Sequence, residues 1–202
     1  MNRSPSVRAL ALALTLACAA AAQAQEQGAA IATQRDTNQQ ERIEQGLQSG
    51  QLNTREAGQL ERDQQRIDHT EARDLKQGGT LTTQEKAQIN REQNQASRDI
   101  YDDKHNAVTG NPNSASSQRL QTDVQRNANQ QQRITNGINS GQLSNKEAGH
   151  LEAGQKREVR NEANASANGH VGAGEQAHIQ GRENHQSQRV FDKKHNDKTR
   201  EN

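Results

Sequence analysis

Apolar residues recur along this chain one at a time, at helical spacing, within long polar stretches. Leu60, Ile67 and Leu75 fall on one face of a helical wheel, and the polar Gln64 and Glu71 occupy the turns between them. A single apolar stripe of this kind predicts amphipathic helices that pack through a narrow seam. We therefore predict an all-α fold with a thin core.

The pattern is present twice. The stretch SGQLNTREAGQLE at 49–61 returns as SGQLSNKEAGHLE at 140–152, 91 positions later. A glycine ends one helix, and a polar cap with a glutamate three residues later begins the next as a capping box. Each of the four predicted turns has a cap residue and a glutamate three positions later. These pairs are Asn53 with Glu56, Thr82 with Glu85, Ser144 with Glu147, and Gly172 with Glu175, where glycine supplies no capping side chain.

The duplication predicts two tandem three-helix modules, each a short helix followed by two long helices, joined by tight Gly-x-Leu-cap turns. The first module covers 38–106 and the second covers 129–196. A flexible linker is expected at 107–128, because it contains Gly110-Asn111-Pro112. We expect disorder at 25–37 and in the tail 197–202. In the first module the predicted helices are 38–48, 54–77 and 83–105.

The first 24 residues have the features of a secretory signal peptide. Arg3 and Arg8 precede the short apolar run 9–20, and Ala22-Gln23-Ala24 is a small-residue cleavage site. The run is too short for a stable membrane span, so no transmembrane segment is expected after cleavage. Cys18 is the only cysteine and lies in this signal. We predict a periplasmic or secreted protein of a Gram-negative bacterium, without disulfides in the mature chain.

Composition limits how stable each module can be. Hydrophobic residues make up 28% of the chain and the mean hydropathy is −1.27, close to the range of disordered proteins. A module alone should be marginal, so pairing of modules, self-association or binding to another protein is expected. Positive and negative charges alternate along the chain, and Tyr101 and Phe191 are the only aromatic residues. This pattern speaks against nucleic acid as a partner.

The most specific repeated polar signature ends the last helix of each module, as IYDDKHN at 100–106 and VFDKKHN at 190–196. One reading is a helix terminus, where Lys and His suit the negative end of the helix dipole. The other reading is a metal pair on each module, because Asp and His three residues apart share a helix face. The candidate ligands are Asp102 and His105, and Asp192 and His195.

One loop has partial EF-hand spacing. It offers side-chain oxygens for calcium at Asn164, Ser166, Asn168 and Glu175, but only one carboxylate. The loops before Glu56, Glu85 and Glu147 lack the ligands of the first half, so turn chemistry is the simpler reading. The sequence shows no nucleophile triad, HExxH, CxxC or phosphate-binding glycine loop. We predict no enzymatic activity, no catalytic residues and no cofactor.

The whole mature chain resembles a group of uncharacterised exported proteobacterial proteins, which share the SGQL, EA, GGxLTxxE and IYxxKHN pattern. This resemblance implies export and helical repeats. The stretch 81–85, LTTQE, is also similar to the LTxxQ motif of periplasmic stress chaperones of the Spy and CpxP type. The favoured function is a periplasmic protein-binding or chaperone-like stress protein. The alternatives are a hydrophilin-like desiccation or osmotic protectant, and a protein that binds a divalent metal.

Overall fold

The computed structural model describes residues 6–196, and for side chains residues 28–196. It confirms an all-α fold, and no strand occurs in this part of the chain. The six helices are α1 (Ser6–Ser49), α2 (Thr54–Gly78), α3 (Thr83–His105), α4 (Ala115–Asn139), α5 (Asn145–Ala165) and α6 (Ala173–Lys194), with a short 3-10 turn at Ser166–Asn168 before α6.

The turns follow the local chemistry of the sequence. Gly50 and Gly141 have φ of 74° and 75°, in the left-handed region that ends a helix and favours glycine. At the start of α2 the Asn53 Oδ1 accepts from the Glu56 amide at 2.9 Å, and the Glu56 Oε2 accepts from the Asn53 amide at 3.0 Å. The same reciprocal box begins α3 at Thr82 and α5 at Ser144. The predicted starts of α2, α3 and α5 are therefore confirmed.

The first helix of each repeat, α1 or α4, is longer than the sequence predicted. The segment 25–37, expected to be disordered, is part of α1, and its Thr33 and Thr37 are buried. Helix α4 begins at Ala115, so the predicted linker 107–128 shrinks to the residues between His105 and Ala115. Neither module begins with a short helix. The apolar pattern did not predict helix in these segments, because their buried faces consist largely of Ala, Ser, Thr, Asn and Gln.

The two repeats interlock instead of forming separate tandem modules. Helix α2 makes its most extensive contacts with α5, and α1 makes its most extensive contacts with α4. Both pairs are antiparallel. Thr33 lies against Thr135 while Leu47 lies near Gln121 in the first pair, and Gly58 lies near Ser166 while Leu75 lies near Gly149 in the second. Helix α3 packs on α1 and α2, and α6 packs on α4 and α5. Each repeat thus supplies half of one six-helix bundle.

Small residues allow α2 and α5 to approach closely at two equivalent points. A Cβ on Gly58 would stand 2.0 Å from the Ser166 Oγ, and a Cβ on Gly149 would stand 2.8 Å from the Leu75 Cβ. Gly58 and Gly149 are 91 positions apart, as are Leu75 and Ser166. Both glycines are therefore required by the packing between repeats.

The apolar core is divided between the two ends of the bundle, and each half draws on both repeats. One cluster joins Leu75, Leu81 and Ile89 to Ile134, Ile138, Leu143, Leu151 and Val190. The other joins Ile43, Leu47, Leu52, Leu60 and Ile100 to Leu120, Val124, Val171 and Ile179. Between these clusters every helix presents buried polar side chains to the interior.

No helix within residues 6–196 is long and apolar enough to cross a membrane. The predicted signal peptide overlaps the first part of α1. The side chains of residues 6–27, Cys18 among them, lie outside the described residues, as does the predicted tail 197–202.

Candidate functional site

A layer of carboxyl groups crosses the middle of the bundle, between the two apolar clusters. We call it the carboxyl belt. Every one of its acidic residues is at most 4% exposed, although free carboxylates are rarely buried without a partner. The carboxyl belt comprises Asp36 (α1), Glu61, Asp68 and Glu71 (α2), Asp123 (α4), Glu152 and Glu162 (α5), and Glu183 (α6).

Two of these carboxyls occupy equivalent positions and have equivalent partners. The Gln40 amide on α1 donates to the Glu61 Oε2 at 3.0 Å. The Gln131 amide on α4 donates to both Glu152 oxygens at 3.0 Å. Both pairs connect the first helix of a repeat to its second helix. A buried carboxyl that accepts from a glutamine at this position is therefore common to both repeats.

The first repeat places two acids and one amide together. The Gln93 Nε2 on α3 donates to the Asp36 Oδ1 at 2.7 Å and contacts the Glu71 Oε1 at 3.3 Å. Asp36 and Glu71 also lie within hydrogen-bonding reach of each other. Two carboxyls can make such a bond only when one of them carries a proton. We call Asp36, Glu71 and Gln93 the first triad.

The second repeat has the same composition in a different order. The Asn127 Nδ2 donates to the Glu162 Oε2 at 2.7 Å, and Glu183 occupies the place that corresponds to Gln93. The half-buried Arg126 forms an ion pair with Glu183, whose Oε2 lies 3.3 Å from the Arg126 Nε. We call Asn127, Glu162 and Glu183 the second triad. Both triads contain two carboxyls and one amide.

Burial raises the pKa of every carboxyl in the carboxyl belt, because a charged carboxylate loses its hydration there. Neighbouring acids add to the effect, and for Glu71 these are Asp36, Glu152 and Asp68. The pKa is raised to about 6 for Asp36, to about 7 for Asp123 and to about 8 for Glu61, Glu152 and Glu183, and well above the ordinary range for Asp68, Glu71 and Glu162.

The hydrogen bonding of the carboxyl belt fits protonated groups. Buried oxygens of Glu61, Asp68 and Glu162, among others, have no hydrogen-bond partner among the described residues. Of the eight acids, only Glu183 is in an ion pair with a described residue. A protonated carboxyl needs less compensation than a carboxylate, because burial penalises mainly the charged form. The geometry therefore favours neutral carboxyls in the folded state.

The predicted metal pairs at the ends of α3 and α6 serve as helix termini. The His105 Nδ1 lies 2.7 Å from the Tyr101 carbonyl, and its ring stacks on Tyr101 with centroids 4.1 Å apart. His195 repeats both contacts with Phe191, at 2.8 Å and 4.1 Å. Asp102 and Asp192 are exposed beside them. The ring nitrogen nearest the helix is thus already engaged with a backbone carbonyl.

The rest of this repeated signature ties the end of one helix to the beginning of another. The Asn106 Nδ2 donates to the Glu56 Oε1 at 3.0 Å, and the Asn196 Nδ2 donates to the Glu147 Oε1 at 2.9 Å. Both glutamates belong to capping boxes. The recurrence of the KHN sequence is thus explained by packing contacts that both repeats share.

Three of the four candidate ligands in the loop with EF-hand spacing are engaged in local hydrogen bonds. The buried Ser166 hydroxyl donates to the Glu162 carbonyl at 2.7 Å, whereas Asn164 is exposed on α5. The Asn168 Oδ1 accepts from the His170 amide, and the Glu175 Oε2 accepts from the Gly172 amide. Within the described residues, no three His, Asp or Glu side chains are arranged to hold a metal ion.

Sequence reasoning placed one acid of the carboxyl belt on the apolar seam but did not predict that it is buried. Glu71 was placed between Ile67 and Leu75 on the apolar seam, and Glu162 occupies the same place 91 residues later. An acid that recurs on the apolar face of both repeats is the signal that could have identified the carboxyl belt. No family model, curated protein or solved structure matches the chain, so the function is argued from this geometry.

Proposed function

We propose that the protein is an exported, non-enzymatic stress protein that keeps its fold in acidic surroundings and acts there on other proteins in a chaperone-like manner. The observation that carries the proposal is the carboxyl belt, in which eight buried acids make a single ion pair with the described residues, between Glu183 and Arg126. Export is supported by the signal-like residues 1–24. An exported protein experiences the pH of its surroundings more directly than a cytoplasmic one.

The direction of the pH effect follows from the raised pKa values. In the unfolded chain these carboxyls ionise near pH 4, whereas in the folded chain most of them keep their protons to about pH 6–8. The folded state binds more protons than the unfolded state in this interval, so stability falls as pH rises. The contribution is fully present below about pH 4 and is lost as the pH passes through the folded-state pKa values.

The magnitude is large enough to matter for folding. One unit of pKa shift corresponds to about 1.4 kcal/mol. A typical domain has a total stability of about 5–15 kcal/mol. Even one unit at several belt carboxyls is therefore comparable with the stability of the whole fold. Most proteins behave in the opposite way, because their carboxylates are paired in the native state and acid destabilises them.

Two exposed aromatic rings are the best candidates for contact with other proteins. Tyr101 is 58% exposed and Phe191 is 50% exposed, and they lie at equivalent positions near the ends of α3 and α6. Each ring is held in place by the histidine stacked on it. Aromatic side chains of this kind are common anchors at protein interfaces.

The test is thermal unfolding of the purified protein, followed by far-ultraviolet circular dichroism between pH 4 and pH 8.5 at constant ionic strength. We expect a cooperative helical melt whose midpoint falls steadily as the pH rises. A midpoint that rises with pH, or does not change, would contradict the proposal. A coil spectrum at every pH would instead favour a hydrophilin-like protectant.

A further inference from the structure

The folded chain separates its charges, although they alternate in sign along the sequence. Five acids of α2 and α5 turn inward to the carboxyl belt, whereas several bases of the same two helices lie on the outer face. A cleft of about 510 Å³ lies on this face between the two helices. It is lined by His69, Ala72, Arg73, Lys76 and Gln77 of α2 and by Ala153, Lys156, Arg157 and Arg160 of α5. We call it the basic cleft.

The positive charge of the basic cleft is largely uncompensated. No acidic side chain lines it. Arg73 pairs with the buried Asp74 at 2.6 Å, whereas no ion pair with a described residue involves Lys76, Lys156, Arg157 or Arg160. Like charges that converge on a concave surface raise the local potential and attract anions. Arg160 and Arg157 are exposed and free to meet such a ligand.

The positive surface continues from the basic cleft onto α6. Arg157 also lines a second cleft, of about 360 Å³, together with Arg182, His185 and Arg189. Its one acid, Glu158, lies 3.4 Å from the Arg182 Nε. The two clefts share Arg157 and therefore form a continuous basic track across α2, α5 and α6. A track of this form suits an extended ligand with repeated negative charges.

The first repeat shows that this charge is not a general property of the fold. In the first repeat, the cleft between α2 and α3 corresponds to the second cleft, between α5 and α6. It is lined by Asp63, Arg66, Glu92 and Asp99, among others. Glu92 corresponds to Arg182, and Asp99 corresponds to Arg189. Two acids at the first cleft are thus replaced by two arginines at the second. The arginines of the second cleft are therefore not repeated at the first cleft.

We propose that the basic track binds a flexible, phosphate-bearing polyanion. The choice of phosphate over carboxylate rests on the proposed function, because phosphodiesters and polyphosphates keep their charge at acidic pH, where carboxylates lose it. No phenylalanine, tyrosine or tryptophan lines either cleft for base stacking, and none of the exposed large apolar residues lines them for insertion into a bilayer. Arginine and lysine contacts to phosphate groups supply the affinity.

The experiment measures binding of long-chain inorganic polyphosphate to the full chain by isothermal titration calorimetry, at pH 5 and pH 7.5 and at two salt concentrations. The test variant is Lys156→Gln/Arg157→Gln/Arg160→Gln. The matched control is Arg66→Gln/Arg91→Gln/Arg98→Gln, which removes the same charge from α2 and α3. Arg66 is the repeat equivalent of Arg157. Melting curves establish that both variants are folded.

We expect the test variant to lose at least about tenfold in affinity and to show a weaker salt dependence, while the control stays within about twofold of the unmodified chain. Equal losses in both variants would overturn the proposal, as would the absence of polyphosphate binding. Tighter binding to phosphatidylglycerol vesicles or to a single-stranded oligonucleotide than to polyphosphate would also overturn it. The pH dependence of the melting temperature tests the proposed function separately, since binding at pH 7.5 does not depend on its outcome.

Discussion

The two triads of the carboxyl belt occupy equivalent places in the two repeats, but their buried acids have different partners. In the first, Glu71 faces another acid, Asp36. In the second, Glu162 faces the amide of Asn127 at 2.7 Å. An acid pair needs a shared proton, whereas an acid and an amide can bond in either protonation state. The first triad should therefore be the more sensitive to pH.

At the third position of the triads the amide belongs to the first repeat and the carboxyl to the second, the reverse of the difference between Asp36 and Asn127. Gln93 in the first triad corresponds to Glu183 in the second, where Arg126 provides an ion pair. Each triad consequently keeps two carboxyls while the amide changes its position. This comparison indicates that the repeats preserve the amount of buried acid more closely than the place of each acid.

The largest expected effect comes from Asn127→Asp, which puts a third acid in the second triad and removes the donor to Glu162. At pH 8 we expect a loss of about 3 kcal/mol or more, because a buried hydrogen bond is replaced by like-charge repulsion. At pH 4.5 the new acid is protonated, and the loss should be only about 1 kcal/mol. Urea unfolding at both pH values gives the two free energies, and equal losses would contradict this account of the second triad.

The reverse change, Asp36→Asn, makes the first triad similar to the second. Burial raises the pKa of Asp36 to about 6, so its ionisation destabilises the fold as pH rises from about 4 through 6. The variant should be more stable than the unmodified protein by about 1–3 kcal/mol at pH 8 and nearly unchanged at pH 4.5. The same urea experiment measures it. Destabilisation at pH 8 would show that Asp36 is held as a stabilising carboxylate.

The smallest effects are expected where the repeats agree. Asn106→Ala and Asn196→Ala each remove the side-chain hydrogen bond to a capping-box glutamate, Glu56 or Glu147, and Asn106→Ala also removes the bond that the Asn106 Oδ1 accepts from the Val108 amide at 2.7 Å. Each should cost about 0.5–1.5 kcal/mol, with little dependence on pH between 5 and 8. Chemical denaturation of the two variants side by side tests this. A marked difference between them would show that the ends of α3 and α6 are not equivalent in energy.

Sequence reasoning was most accurate where a few adjacent residues decide the structure. The boxes at Asn53, Thr82 and Ser144 and the left-handed Gly50 were predicted because their hydrogen bonds and dihedral angles are local. It was least accurate where polar side chains are buried. Thr33 was expected in a disordered segment, yet it is buried and lies 2.9 Å from the Thr135 hydroxyl. Hydropathy assigns such a residue to the surface, since it does not register a partner 102 positions away.

The sequence by itself determined the helical fold, the positions of the turns and the twofold repetition, because capping, glycine conformation and apolar spacing act over a few residues. Only the tertiary structure decided that α2 pairs with α5 and α1 with α4, and that the acids of the carboxyl belt face inward while the bases of the basic track face outward. These outcomes depend on contacts between helices distant in sequence. There, small residues at Gly58 and Gly149 permit close approach, and the bundle interior raises the pKa of the carboxyls that it encloses.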